Sequence, residues 1–228
     1  MRSRPVVAID GPAASGKSST ARAVARELGF AHVDSGAVYR AVTLVALERL
    51  GAGDAWTPER LVDAARAAPV AVLVRAGAFE VTVAGAEATA AIRSDAVTRE
   101  VSRVAAMGPV RDFVNALLRA AARDGGVVMD GRDIGTVVFP DAEVKVFMVA
   151  DPEERARRRL LEKGRTTDAA TVRAEAGALL ARDSHDSERE VAPLARAKDA
   201  VLVDTTLLAF EEQVRLIADL VRRTHGTS

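Results

Sequence analysis

Residues 11–18 read Gly-Pro-Ala-Ala-Ser-Gly-Lys-Ser, a complete G-x-x-x-x-G-K-[ST] pattern. The chemistry this spacing supports is the binding of a polyphosphate. Glycines at 11 and 16 leave the backbone uncrowded, so successive N–H groups converge on phosphate oxygens at a helix N-terminus that carries partial positive charge. Lys17 has the reach to meet β- and γ-phosphates, and the Ser18 hydroxyl is a hard oxygen ligand for magnesium. Gly11, Pro12, Ala13, Ala14, Ser15, Gly16, Lys17, Ser18 and Ser19 are therefore the candidate binding site for a nucleoside triphosphate.

Further clusters carry charge into the same region. Asp130-Gly131-Arg132-Asp133 directly follows an apolar run, and strand C-termini line the ligand crevice of a parallel sheet. Asp130 could hold magnesium there and Arg132 could fork onto a phosphate; the competing reading is an Asp-Gly turn with a surface ion pair. Asp34-Ser35-Gly36-Ala37-Val38-Tyr39-Arg40 also ends a strand. Ser35 is either a site residue or the cap of the next helix, and Arg40 either reaches the crevice or is solvated. Asp151 before Pro152 reads as a helix cap rather than a metal ligand. Arg155, Arg157, Arg158, Arg159, Lys163 and Arg165 then follow with only Glu162 opposing them, a flexible cationic lid or a solvated helix face. Arg182, Asp186 and Arg189 fall on one helical face, which an ion-pair ladder would also satisfy. His32, His185 and His225 carry no catalytic signal of their own.

A phosphate loop works only between a buried strand and a helix, and the flanks supply both. Residues 5–10 are apolar and β-branched, and 18–28 read as a helix stopped by Gly29. A second strand is expected over 30–33 and a helix over 37–50, closed by Gly51-Ala52-Gly53. Between 70 and 84 the apolar period changes to two, with Gly77 between the runs, which predicts an antiparallel hairpin in an inserted subdomain over 60–100. Helix resumes over 97–123, broken at Met107-Gly108-Pro109. Strands are expected at 126–130, 142–150 and 200–204, then a closing helix to about 223 and a frayed end over 224–228. Alternating strands and helices indicate an α/β fold with a parallel, doubly wound sheet.

The chain has 228 residues, 49% apolar and 28% charged, which suits one α/β domain with small excursions. Thirty-two basic residues balance thirty-two acidic ones, so no global field draws it to nucleic acid or an anionic membrane. The absence of cysteine excludes disulfides and thiolate chemistry. No apolar run approaches a membrane span, and residues 1–4 lead directly into a strand without room for a signal peptide. A cytoplasmic location is the expectation, and no apolar seam suggests anything but a monomer.

With Asp34–Arg40 and Asp-Gly-Arg-Asp-Ile-Gly-Thr-Val-Val-Phe-Pro beside the phosphate loop, the chain closely resembles the bacterial cytidylate kinase family. Residues 182–194, ending Glu190-Val191-Ala192-Pro193-Leu194, extend the likeness over essentially the whole chain. The resemblance implies a five-stranded parallel core sheet of order 2-3-1-4-5, a nucleoside-monophosphate-binding insert bearing the hairpin, and an Arg-rich lid. Core segments are expected at 1–59, 101–154 and 191–228, the insert at 60–100, and the lid with its substrate-binding region at 155–190. The implied reaction is phosphorylation of CMP and dCMP by ATP with Mg²⁺. The family pattern puts Ser35, Arg40, Ser102, Arg111, Arg132, Asp133, Arg182, Asp186 and Arg189 around CMP. Ser102, Arg111 and Asp133 would read the cytosine edge, Arg40, Arg132 and Arg189 would hold the acceptor phosphate, and Arg182 and Asp186 would face the sugar. Lys17, Arg132, Arg158 and Arg189 would act on the migrating phosphoryl group, and Ser18 and Asp130 would hold the metal. His185 departs from an arginine common in relatives. The alternative is a kinase of another nucleoside monophosphate or small metabolite on the same scaffold. A GTP switch lacks its Asn-Lys-x-Asp reader here, and zero net charge disfavours a nucleic-acid ATPase.

Overall fold

The structure, a computed structural model, describes residues 4–51, 56–75 and 78–225. Ala52, Gly53, Gly77 and the ends 1–3 and 226–228, on which some sequence expectations fall, lie outside the described residues. The central strand is β1 (Val6–Asp10), every residue of which is buried. It pairs in parallel with β6 (Val127–Gly131) on one side and β7 (Val144–Val149) on the other. β2 (Ala31–Asp34) and β8 (Val201–Asp204) complete the sheet in the order β2-β6-β1-β7-β8. Counted by core strands alone, that is the expected 2-3-1-4-5. The register sets Asp10 beside Gly131 and Asp34 beside Asp130, so three strand ends that carry carboxylates finish level.

Strand alternation sends successive β1 side chains into opposite layers. Val6 and Ala8 face a core with α2 (Ser35–Leu50), α4 (Asp95–Ala105) and α5 (Gly108–Ala121). Val7 and Ile9 face a core with α1 (Lys17–Leu28) and α8 (Phe210–His225). The period-two stretch forms β3 (Val70–Arg75) and β4 (Ala78–Val83), antiparallel, with β5 (Ala86–Glu87) added. Val70 and Val81 share the first core with Val33 and Val38, so this small sheet is rooted in the main body after α3 (Pro58–Ala67). α6 (Pro152–Glu162) and α7 (Ala169–Ser187) have a separate small core around Leu160, Val172 and Leu179.

Local chemistry sets the helix ends. Gly29 stops α1 in the left-handed region, and the Asp151 carboxylate caps α6 by accepting from the N–H groups of Glu153 and Glu154. The expectation that Ser35 could cap α2 is corrected: Asp34 is the cap, accepting from Ala37 N at 3.1 Å. Ser35 is already helical and donates to the Asp130 carbonyl at 2.7 Å.

Asp10 fixes the connection that follows β6. Its carboxylate accepts from Ile134 N at 2.8 Å and Gly135 N at 2.7 Å, inside the π-turn Ile134–Val138. Burial, opposed in part by those two hydrogen bonds, pushes its pKa from the usual 3.8 to about 6. A raised folded-state pKa means that Asp10 favours folding at low pH and loses that contribution as pH rises toward 6. Asp10→Asn lacks this slope. Its stability relative to the native protein should therefore improve by roughly 2 kcal/mol between about pH 4 and pH 7. Urea unfolding of both proteins across that range checks it, and a pH-independent difference would refute it.

Candidate active site

The C-terminal ends of the sheet open into a cleft of about 670 Å³. The phosphate loop lines part of it. Gly11 has φ 146°, and a Cβ there would stand 2.0 Å from the Met148 carbonyl oxygen, so only glycine fits. Gly16 precedes α1 with no side-chain cap, which leaves the first N–H groups of the helix available to an anion. Ala13, Ala14, Gly16, Lys17, Ser18 and Ser19 line the cleft; Gly11, Pro12 and Ser15 do not, and they shape the loop from beneath. Lys17 is 4% exposed and donates to Pro12 O and to Ser15 Oγ at 3.2 Å. Burial first, then the nearby Arg132 charge, push its pKa well down, a penalty that phosphate oxygens would relieve.

Ser18 and Asp130 meet at the head of α1, with Ser18 Oγ donating to Asp130 Oδ2 at 2.5 Å. His32 Nε2 lies 2.7 Å from Asp130 Oδ1. Burial alone would raise the Asp130 carboxyl, but the His32 and Ser18 contacts hold it below the usual carboxylate value. Burial and the facing Asp130 raise the Asp34 carboxyl. Among the described residues no three Asp, Glu or His come together to hold an ion unaided. The Ser18–Asp130 pair instead offers two adjacent hard oxygens, a donor set that fits a magnesium ion whose remaining ligands are water and phosphate. His32 is one of the residues the sequence reading passed over. A signal existed, because strand alternation puts it on the same face as Asp34, at the end of the strand beside β6.

Ser35, Arg40, Ser102, Arg111, Arg132, Asp133, Arg182, Asp186 and Arg189, the other expected residues, also line the cleft. Arg111 on α5 is buried; it pairs with Asp133, donates to Ala105 O at 2.8 Å and lies over the Tyr39 ring. Arg40 donates to Thr98 Oγ1 at 3.0 Å, so the solvated alternative is replaced by a cleft position. Arg132 Nε donates to Asp186 Oδ2 at 3.0 Å. The single-face expectation for Arg182, Asp186 and Arg189 is corrected. α7 ends at Ser187, and Arg189 returns to within 3.8 Å of Asp186 because the chain turns back, with Leu194 N donating to Asp186 O.

Ten basic and six acidic side chains line the cleft, so a chain of zero net charge concentrates positive charge here. Burial, then the charge of Arg132, push Arg182 down from 12.5 to about 10. Buried Nε atoms of Arg111, Arg182 and Arg189, and the Tyr39 hydroxyl, have no hydrogen-bond partner. Crowded cations with unspent donors are a site for an anion.

The arginine run on α6 is not one exposed patch. Arg155 is buried against Asp183, Arg157 and Arg158 pair with Glu153 and Glu154, and Arg159 lies by Glu175. The expected opposition by Glu162 alone was incomplete because it ignored α7 and the first turn of α6. Arg158, expected at the transfer point, lies outside the cleft and donates to Thr205 O at 2.7 Å. Arg159 is the α6 arginine that lines it, together with Arg22 and Arg93, which the sequence reading missed. Arg22 was findable, four residues and so one turn beyond Ser18.

The sequence model of the family described as cytidylate kinase matches residues 7–223. A cytidylate kinase of Chlorobaculum tepidum is 45% identical over 96% of this chain and 93% of its own length. One from a Geobacillus species is 44% identical over 99% of this chain and 100% of its own. One from Desulfitobacterium hafniense is 46% identical over 96% and 94%. With the match running from the central strand into the closing helix, the chain belongs to the cytidylate kinase family.

Proposed function

We propose that the protein transfers the γ-phosphoryl group of ATP to CMP and dCMP, forming ADP and CDP or dCDP. The observation that carries this reading is one cleft lined by the phosphate loop, the buried Arg111–Asp133 pair and a set of further arginines. An acceptor phosphate oxygen attacks the γ-phosphorus, and the bond from that phosphorus to the β-bridging oxygen breaks. The acceptor is already an anion, so the step needs position and charge compensation more than a general base. Lys17 holds the donor phosphates; Arg40, Arg132 and Arg189 hold the acceptor phosphate; Arg182 and Asp186 face the sugar. Asp133 accepts from the exocyclic amine of cytosine, while Arg111 and Ser102 donate to its carbonyl and ring nitrogen. Mg²⁺, held by Ser18 and Asp130, would neutralise phosphate charge when bound.

Coupled ADP release measured with CMP, dCMP, UMP, AMP and GMP tests the reading. CMP and dCMP should exceed the other acceptors by at least about tenfold in kcat/KM; equal rates across the panel would overturn the base assignment. Lys17→Met should stay folded and lose at least about a hundredfold in turnover, the scale of one preorganised charge. Near-native turnover in that folded variant would remove the donor role of the loop.

Arg111→Met should raise the CMP KM and cost about 2–4 kcal/mol in kcat/KM, because a buried base and Asp133 lose their donor. The ATP KM should move little, and the preference for CMP over UMP should shrink. An impaired ATP KM with an unchanged CMP/UMP ratio would show that Arg111 does not read the base.

A further inference from the structure

Among the described elements, α6 and α7 pack extensively only on one another. Their shared core of Ala156, Leu160, Val172, Ala176 and Leu179 admits one buried residue from elsewhere, Ala13 of the phosphate loop. Ala13 is 3% exposed, and the next residue, Ala14, packs against the same cluster with a left-handed φ of 58°. Both main-chain polar atoms of Ala13 are held from the helix pair. Its N–H donates to Asp183 Oδ1 at 2.9 Å, and its carbonyl accepts from Arg155 Nη1 at 3.0 Å. Arg155 and Asp183 also pair with each other through Asp183 Oδ2, closing a three-way clasp. Asp183 stands between Arg182 and Asp186 in α7, whose side chains line the cleft.

We propose that Asp183 is a positioning residue that couples the two nucleotide sites, an inference that rests on the donor and acceptor reading given above. With its own core and few other attachments, the α6–α7 pair moves as a unit between a state clasped on Ala13 and one released from it. An acceptor held by Arg182 and Asp186 fixes α7. A fixed α7 keeps Asp183 on the Ala13 amide, and so keeps the crest of the phosphate loop in its strained, phosphate-ready shape. Linkage makes the effect reciprocal: a donor seated in the loop favours the clasped state and tightens the acceptor. The clasp touches neither reacting atom, and its role is the agreement between the two halves of the site.

Titration calorimetry with a non-hydrolysable ATP analogue, with and without saturating CMP, measures this coupling in the full chain. In the native protein CMP should tighten the analogue by about fivefold or more. In Asp183→Ala that ratio should fall below about twofold, while CMP affinity without donor stays within about threefold of native. Arg155→Lys, which keeps a cationic donor in the clasp, should retain the ratio. Should Asp183→Ala not fold, the isosteric Asp183→Asn carries the same comparison with a partial loss. Exchange of the Ala13 amide hydrogen should slow when CMP binds the native protein and fail to slow in the Asp183 variants. A native ratio near one, an unchanged ratio in the variants, or a fall in both affinities at constant ratio would each overturn the coupling. If CMP is bound and phosphorylated while the ratio is unchanged, only the coupling fails. If CMP is neither bound nor phosphorylated, the acceptor reading itself fails and the coupling with it.

Discussion

One buried carboxylate at the end of β6 joins the parts of the site. Asp130 takes Ser18 of α1 on one oxygen and His32 of β2 on the other, and its carbonyl takes Ser35 of α2. Three elements that approach from different directions are thereby referred to a single residue. The dense hydrogen bonding holds its charge in a place where burial alone would discharge it. That anchor ties the head of α1 and the start of α2 to the end of one strand. The level ends of β1, β2 and β6 bring these partners within reach, so the sheet register comes before the site.

The electrostatic design is local. Acidic and basic residues balance over the chain, yet the cleft gathers an excess of cations; burial first, then repulsion between them, lowers the proton affinity of Arg40, Arg182 and Lys17. A bound anion removes both costs at once, since it supplies opposite charge and hydrogen-bond acceptors. Affinity for phosphate is therefore built from unfavourable features of the cleft itself rather than from a large attractive field over the surface.

Much of this was legible in the sequence because it rests on local rules. The phosphate loop, the strand that feeds it, the period change at 70–83 and the Gly29 and Asp151 helix ends each follow from a few adjacent residues. What escaped depends on contacts distant in sequence. His32 looks like any strand histidine until the sheet places it against Asp130, 98 positions away. Ser35 looks like a cap, but Asp34 is one residue earlier and free to turn back, which leaves Ser35 for the neighbouring strand. Arg189 was projected along a helix that ends before it, because the turn back to Leu194 is set by tertiary bonding and not by a local stop signal.

The arginine run on α6 shows most clearly why charge density alone does not assign a role. Helical periodicity sends Arg155 inward to Ala13 and Asp183, and four residues later it sends Arg159 to the cleft beside Glu175. The adjacent Arg158 points instead to Thr205, whose hydroxyl in turn donates to Ser15 O in the phosphate loop. Neighbours in sequence thus brace the loop from two sides, Arg155 through Ala13 and Arg158 through Thr205. Cations already divided between structural partners and the cleft do not make α6 a cloud of loose charge. Under the coupling proposed above, the effect of a nucleotide on α6 and α7 passes to the phosphate loop through those partners.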